Sequence, residues 1–312
     1  MYHIKLYFQL KTKLAPILLF AYNRLDTLIE VVDSLLKNKE SEHSELIVFI
    51  DGPKDSQNFR IQNEIRDHIE SKRCFFKRVT IQLSNRNHGL KESIINGINR
   101  TFETHEKVII LEDDIVVSEK FLDFMNTCLD YYKNNNSIGA ISGYQYPIEN
   151  DNKSVGFSTM FSCWGWATWK NKWETFEQPY PSSFSKLSLK QKRTFIVSLN
   201  FNYLDQIILN KKGLLNTWFI HWYLYNFLNK RNCIYPPYSL TQNIGVNENG
   251  TNAEKDLFHI YNRDLRNIPI AIGDKLTFIP LKRYRKFFRT LGGSTAGTYL
   301  ATFVRLIKLA LK

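Results

Sequence analysis

Glu112, Asp113 and Asp114 stand side by side directly after the apolar run Val108-Ile109-Ile110-Leu111. Three adjacent carboxylates at a strand end repel one another and lose hydration, so a cation is needed among them. A hard divalent ion meets that need through oxygen ligands, keeping waters and bridging to substrate phosphates. The same residues could instead form a solvated acidic turn before the next helix, since carboxylates favour helix N-termini. Asp51 closes another apolar run as Ile50-Asp51-Gly52, where it either accepts hydrogen bonds from a nucleoside or shapes the turn. Arg24 follows a third such run and could pair with a diphosphate or form a surface ion pair. His88-Gly89 closes a loop ahead of a helical segment whose N-terminus could face a phosphate. No Walker phosphate loop, GxGxxG or GxSxG occurs, which removes support from the nucleotide enzymes and hydrolases built on those motifs.

These residues need a frame that brings them together, and the flanking pattern supplies one. APILLFAY, ELIVFIDG, RVTIQLS and KVIILEDDIVV are short apolar runs suited to buried strands. Between them lie TLIEVVDSLLKNK, QNFRIQNEIRDHIESK and LKESIINGINRTFE, with apolar residues at helical spacing. Strands alternating with helices of this length predict βαβ units and a mainly parallel sheet, an α/β fold. Ligands of such sheets bind at the carboxyl ends of the strands, where Asn23, Arg24, Asp51, the loop 85–89 and the acidic trio all fall. Beyond Phe121 the pattern is less regular. FLDFMNTCLDYYKN reads as a helix, SIGAISGY as a strand, LNTWFIHWYLYNFLNKRN as a helix and CIYPPYSLTQNIG as strand or loop.

With 312 residues, 43% hydrophobic and 23% charged, the chain has the composition of a globular protein that can bury a core without disulfides. Its four cysteines have no paired spacing, which fits a reducing cytosol and argues against a zinc site. Aromatic residues reach 14% and cluster between Tyr144 and Tyr238, as either a sugar-binding wall or a Trp-rich core. The net charge of +12 calls for an anionic partner. From Lys275 to Lys312 there is no carboxylate, and Phe, Tyr and Leu alternate with Lys and Arg. That stretch suits an anionic membrane surface, or a basic helix folded back on the domain. RNA is a weaker partner, because no nucleic-acid motif accompanies the charge, and nucleic acid is not expected. No run of about 18 apolar residues is present to span a bilayer, and the first 24 residues lack the form of a signal peptide.

Taken in order, FAYNR, FIDGP, VIILEDDIVVSEKFLDF, FSCWGWATW, NTWFIHWYLYN and NIG resemble a glycosyltransferase of the GT-A fold. The set is similar to bacterial sugar transferases related to the N-acetylglucosaminyltransferase I type, over about Ala15 to Gly245. That resemblance implies a Rossmann-like GT-A domain over 1–250, leaving 251–312 as a basic, partly amphipathic C-terminal extension. It implies a nucleotide-diphosphate sugar as donor, a UDP-sugar foremost, with Mn2+ or Mg2+ held by the diphosphate and Asp114. Glu112 and Asp113 would contact the donor's sugar and ribose, Asp51 its base, and Arg24 its phosphates, while Trp164-Gly165-Trp166 would wall the acceptor side. The acceptor would be a saccharide or a lipid-linked sugar in cell-surface glycan synthesis, with inversion at the anomeric carbon. The expected location is cytoplasmic, peripheral to the inner face of the cell membrane. Such relatives place an Asp base directly after the Trp of NTW, where this chain has Phe219. His221 is the first substitute, with an ordinary pKa of about 6.5, and Asp205 the second. Phe219 also leaves room for a non-catalytic sugar-binding or scaffold protein with the same fold.

Overall fold

The computed structural model describes residues 13–148, 154–176, 188, 206–207, 209–210, 212–245 and 263–290. β1 (Ile17–Ala21) is buried at every position, and its side chains alternate between two apolar layers. Ile17, Leu19 and Ala21 enter one core cluster, and Leu18 and Phe20 enter the other. A strand covered on both faces must be apolar throughout, which is why ILLFA shows no polar alternation. The chain continues through α1 (Leu25–Leu36), β2 (Glu45–Ile50), α2 (Ser56–Ser71), β3 (Arg78–Leu83) and α3 (Leu90–Phe102) to β4 (Lys107–Glu112). β1 pairs in parallel with β2 on one side and β4 on the other, and β2 pairs in parallel with β3. Val31, Val32 and Leu35 of α1, with Ile65 and Ile69 of α2, cover one face of the sheet. Ile94, Ile98 and Phe102 of α3 cover the opposite face. The sequence pattern specifies these layers because each helix carries one apolar stripe.

After β4 come β5 (Ile115–Val117), α4 (Phe121–Tyr131), β6 (Ile138–Ser142), β7 (Gly156–Ser158), β8 (Trp166–Trp169) and the short α5 (Lys170–Trp173). β8 lies between β4 and β6 and runs antiparallel to both. It is held there by Thr168 Oγ1 donating to the Gly139 carbonyl at 2.8 Å and Trp169 Nε1 donating to the Leu129 carbonyl at 2.9 Å. α6 (Phe219–Leu228) and β9 (Asn232–Tyr235) follow, and β10 (Thr241–Asn243) forms an antiparallel two-stranded ladder with β5. β11 (Thr277–Phe278) and α7 (Leu281–Thr290) complete the described chain. The main sheet has nine strands in the order β11-β7-β9-β6-β8-β4-β1-β2-β3, an α/β architecture of GT-A type.

Residues 263–290, which the sequence places in the basic extension, add an edge strand and a helix to this same body. β11 pairs with β7, Tyr284 of α7 is fully buried, and Tyr132 Oη donates to the Gly273 carbonyl at 2.9 Å. The amphipathic segment 302–312 lies outside the described residues. Among the described residues no helix is long and apolar enough to cross a membrane. All four cysteines are free thiols.

Candidate active site

Strand order locates the site before any side chain is considered. The chain moves from β1 outward to β2 and β3, then returns to place β4 on the other side of β1. That reversal opens a crevice beyond the carboxyl ends of β1 and β4, where ligands of open α/β sheets bind. Arg24 leaves β1 on one side of the crevice, and Glu112, Asp113 and Asp114 leave β4 on the other. The register Phe20 to Glu112 makes the two strand ends coincide.

Arg24 forks across two of the three carboxylates. Its Nη2 donates to Asp113 Oδ1, and its Nη1 donates to Asp114 Oδ2 at 2.8 Å. The Arg24 side chain keeps 34% of its surface exposed, whereas Asp113 and Asp114 are buried. The cation that three neighbouring carboxylates demand is therefore built into the protein, as a guanidinium reaching over from the next strand. Asp113 Oδ2 also accepts from the Tyr22 N–H at 3.3 Å. Burial pushes the Asp113 carboxyl up to about 6 even though Arg24 pulls it down. Burial, then the charges of Asp114 and Asp113, pushes Glu112 up to about 8. For Arg24, burial opposes the charge, but Asp113 and then Asp114 outweigh it and hold the guanidinium above its ordinary range.

Asp114 is fixed from its far side as well. Its carbonyl accepts from the Ile244 N–H at 2.8 Å, at the end of the β5–β10 ladder. Gly245 then lies directly on the ion pair. A Cβ at that position would stand 2.3 Å from Asp114 Oδ2 and 2.7 Å from Arg24 Nη1. Asp114 Oδ1 is buried and has no hydrogen-bond partner among the described residues. A buried carboxylate oxygen without a donor is costly, and it suits a ligand that supplies positive charge. No three His, Cys, Asp or Glu side chains form a ready metal cage among the described residues. The donor set thus fits a hard ion that takes one carboxylate oxygen here and fills its shell with water and phosphate.

Asp51 sits at the end of β2 with its carboxylate committed to the backbone. Oδ1 accepts from the Gly52 and His88 N–H groups, each at 2.9 Å, and Oδ2 accepts from the Gly89 N–H at 2.8 Å. Gln62 Nε2 donates to the Asp51 carbonyl at 2.6 Å, and Asn87 Nδ2 donates to the Gly52 carbonyl at 2.9 Å. Gly52 is required because a Cβ there would lie 2.2 Å from the Arg86 carbonyl carbon. Asp51 therefore ties the loop 85–89 to the sheet and sets the start of α3. Asn23 is bound by Asn58 at 2.8 Å, and His88 Nδ1 faces Glu92 at 3.6 Å.

The aromatic segment divides between site and core. Cys163 has its thiol pushed up by burial and then by the Glu112 charge, which places it beside the trio. Trp164 is partly buried, edge-on to Tyr144 at 4.6 Å, and its carbonyl accepts from Thr241 Oγ1 at 2.8 Å. Trp166 is a core residue, 1% exposed and stacked on Trp218 at 5.4 Å. On α6, Phe219 stacks on Tyr223 with centroids 6.4 Å apart. His221 is 2% exposed, with Nε2 3.4 Å from Asn210 Oδ1. Burial, then the charge of Lys91, pushes its pKa down to about 4, so the ring is neutral at pH 7. Asp205 lies outside the described residues. Sequence reading missed Gly245, Tyr22 and Cys163; NIG was noted as a motif, but nothing in it showed that its glycine covers residue 114.

A mostly parallel α/β sheet with a carboxylate cluster at its switch-point crevice is the arrangement of a GT-A glycosyltransferase. The GNT-I family profile matches residues 3–195, more than half of the chain, and the chain belongs to the GNT-I family. No curated protein matches it in sequence. Among solved structures, S. aureus TarS 1-349 is similar over 74% of this chain and 60% of its own, with TM-score 0.46 and 10% identity. The chain thus spans about three fifths of the length of that structure. The mannosyltransferase PcManGT from Pyrobaculum calidifontis, solved with GDP-Man and Mn2+, is similar over 55% of this chain and 51% of its own. Its TM-score is 0.37 and its identity 14%.

Proposed function

We propose that the protein transfers a sugar from a nucleotide-diphosphate sugar, a UDP-sugar foremost, with a divalent ion held between the donor's diphosphate and Asp114. The observation that carries this reading is Asp114 Oδ1, buried without a partner in the crevice beyond β1 and β4. Mn2+ or Mg2+ bound there would neutralise charge on the departing diphosphate, worth several kcal/mol in such Lewis-acid roles. Arg24, one third exposed and paired with the other Asp114 oxygen, would hold phosphate through its planar fork. Glu112, half-buried next to Cys163 at the same strand end, would face the donor's sugar, and Asp113 its ribose. Asp51 would act on the nucleoside through the loop it fixes. For the acceptor's proton, His221 is poorly suited, because it is buried and its depressed pKa makes the neutral ring a weak base. Asp205 remains the second candidate for that step that the sequence offers, in an inverting displacement.

The acceptor would be a saccharide or lipid-linked sugar at an anionic membrane face, supported by the +12 charge and the carboxylate-free stretch from Lys275. A sugar-binding protein that keeps the fold without turnover is the second reading, favoured by Phe219 at the position of the expected base. A thermal-shift panel of UDP-, GDP-, CMP- and dTDP-sugars, each with and without Mn2+, tests donor binding. Stabilisation by one nucleotide class that needs Mn2+ supports the donor and metal site, and Mn2+-dependent turnover then separates transfer from binding alone. The absence of any Mn2+-dependent shift refutes transfer.

A further inference from the structure

We propose that Arg24 is a resident counter-ion that occupies Asp114 until a donor diphosphate arrives, so that a divalent ion enters with the nucleotide and not ahead of it. The inference rests on the reading that Asp114 carries the metal, and it adds the order in which the site fills. Three observations support it. Arg24 Nη1 already holds Asp114 Oδ2 at 2.8 Å, so the metal carboxylate has one oxygen engaged and one free. Gly245 covers the pair so closely that no side-chain atom fits above it, which leaves little room for a third group beside Oδ2. Arg24 is the more exposed partner, with 34% of its side-chain surface open against 12% for Asp114. The arginine is the member able to move toward solvent, while Asp114 is anchored through Ile244.

Electrostatics gives the coupling its sign. A divalent ion on Asp114 would sit within a few ångströms of the guanidinium, and like charges at that range oppose binding. A diphosphate offers the guanidinium two adjacent charged oxygens on one group, and a divalent ion on Asp114 compensates the carboxylate that Arg24 releases. Once Arg24 turns to the diphosphate, the repulsion falls and both oxygens of Asp114 become available. Coupling of this kind is reciprocal, so the nucleotide raises metal affinity by the factor that the metal raises nucleotide affinity.

The test titrates Mn2+, followed by the electron paramagnetic resonance signal of the free ion, into wild type, Arg24→Gln and Arg24→Lys. Each is measured alone and with UDP or GDP, and Mn2+ binding is counted only above that of the same nucleotide without protein, because the diphosphate itself takes up the ion. Wild type should bind Mn2+ alone weakly and gain at least tenfold when its nucleotide is present. Arg24→Gln should bind Mn2+ alone at least tenfold more tightly than wild type and show a smaller gain from nucleotide than wild type, the diphosphate's own ligation of the ion remaining. Arg24→Lys keeps the charge and should stay within about threefold of wild type for Mn2+ alone. Wild type binding Mn2+ alone as tightly as it does with nucleotide would overturn the proposal without recourse to any variant. A folded Arg24→Gln with no gain, while wild type binds Mn2+ with nucleotide, refutes the role of Arg24 and leaves the metal reading standing. No Mn2+ binding in any arm refutes both.

Discussion

Replacing Gly245 by alanine tests whether the Arg24–Asp114 pair is packed as tightly as described. At a glycine outside the left-handed region, alanine ordinarily stabilises a protein by about 0.4–1 kcal/mol, because it restricts the unfolded chain. Gly245 is such a position, yet its added Cβ would stand 2.3 Å from Asp114 Oδ2, 2.7 Å from Arg24 Nη1 and 2.8 Å from Asp114 Cβ. Something must move, and overpacking at a well-packed site costs about 1–3 kcal/mol. Asp114 is held by the Ile244 N–H, so the displacement falls on the ion pair. We expect Gly245→Ala to lose about 2 kcal/mol, a fall in Tm of roughly 3 °C for a chain of this size. Gly273→Ala is the control, since a Cβ there meets nothing within 4 Å; it should be neutral or slightly stabilising. Differential scanning calorimetry of metal-free protein measures both. A Gly245→Ala protein that melts at or above the wild-type temperature would refute the close packing of this strap on the ion pair.

Two further predictions follow from single side chains. Asp51→Asn leaves one carbonyl oxygen to face three N–H groups and should cost about 1.5–3 kcal/mol in urea denaturation. Amide exchange at His88 and Gly89 should quicken in the same variant, and unchanged exchange there would contradict the role given to Asp51. His221 has a folded pKa of about 4, below the ordinary 6.5, so the unfolded state binds the extra proton between those values. Its stabilising effect is therefore complete above about pH 6.5 and is lost as pH falls toward 4, by up to about 3 kcal/mol at 1.36 kcal/mol per unit. His221→Gln should flatten that acid limb in denaturation measured at pH 7 and pH 4.5. It should lower turnover less than tenfold, whereas loss of a true base costs about 10²–10⁴-fold.

The first half of the fold was legible because each element carries its own periodicity. β1 and β4 read as doubly buried strands from apolar runs alone, and α1 to α3 from their single stripes. β8 was not legible, since WATW inserts antiparallel between β4 and β6 through pairings and side-chain bonds distant in sequence. β7 and β11 are too short to leave a period, and β11 showed that chain assigned to the extension belongs to the sheet. In the site, the need for a cation among the three carboxylates was predicted, but its first source was not. Arg24 lies about ninety positions away, and only the register of β1 on β4 brings its fork onto Asp113 and Asp114. Asp51 read equally as ligand or turn former, because the N–H groups it binds come from a loop with no motif of its own. His221 was plausible by residue type, and the aromatic layer that buries it was visible only as composition.

The most direct measurement is release of nucleoside diphosphate from a nucleotide-sugar, followed with and without Mn2+ in wild type and Asp114→Asn. The amide side chain would keep the size and the Ile244 contact while removing the charge a metal needs. Release that depends on Mn2+ in wild type and falls at least a hundredfold in the variant, with its melting cooperative and unchanged within a few degrees, is the predicted result. Release that proceeds equally without Mn2+, or that survives in Asp114→Asn, would contradict the placement of the metal and with it the account of the site.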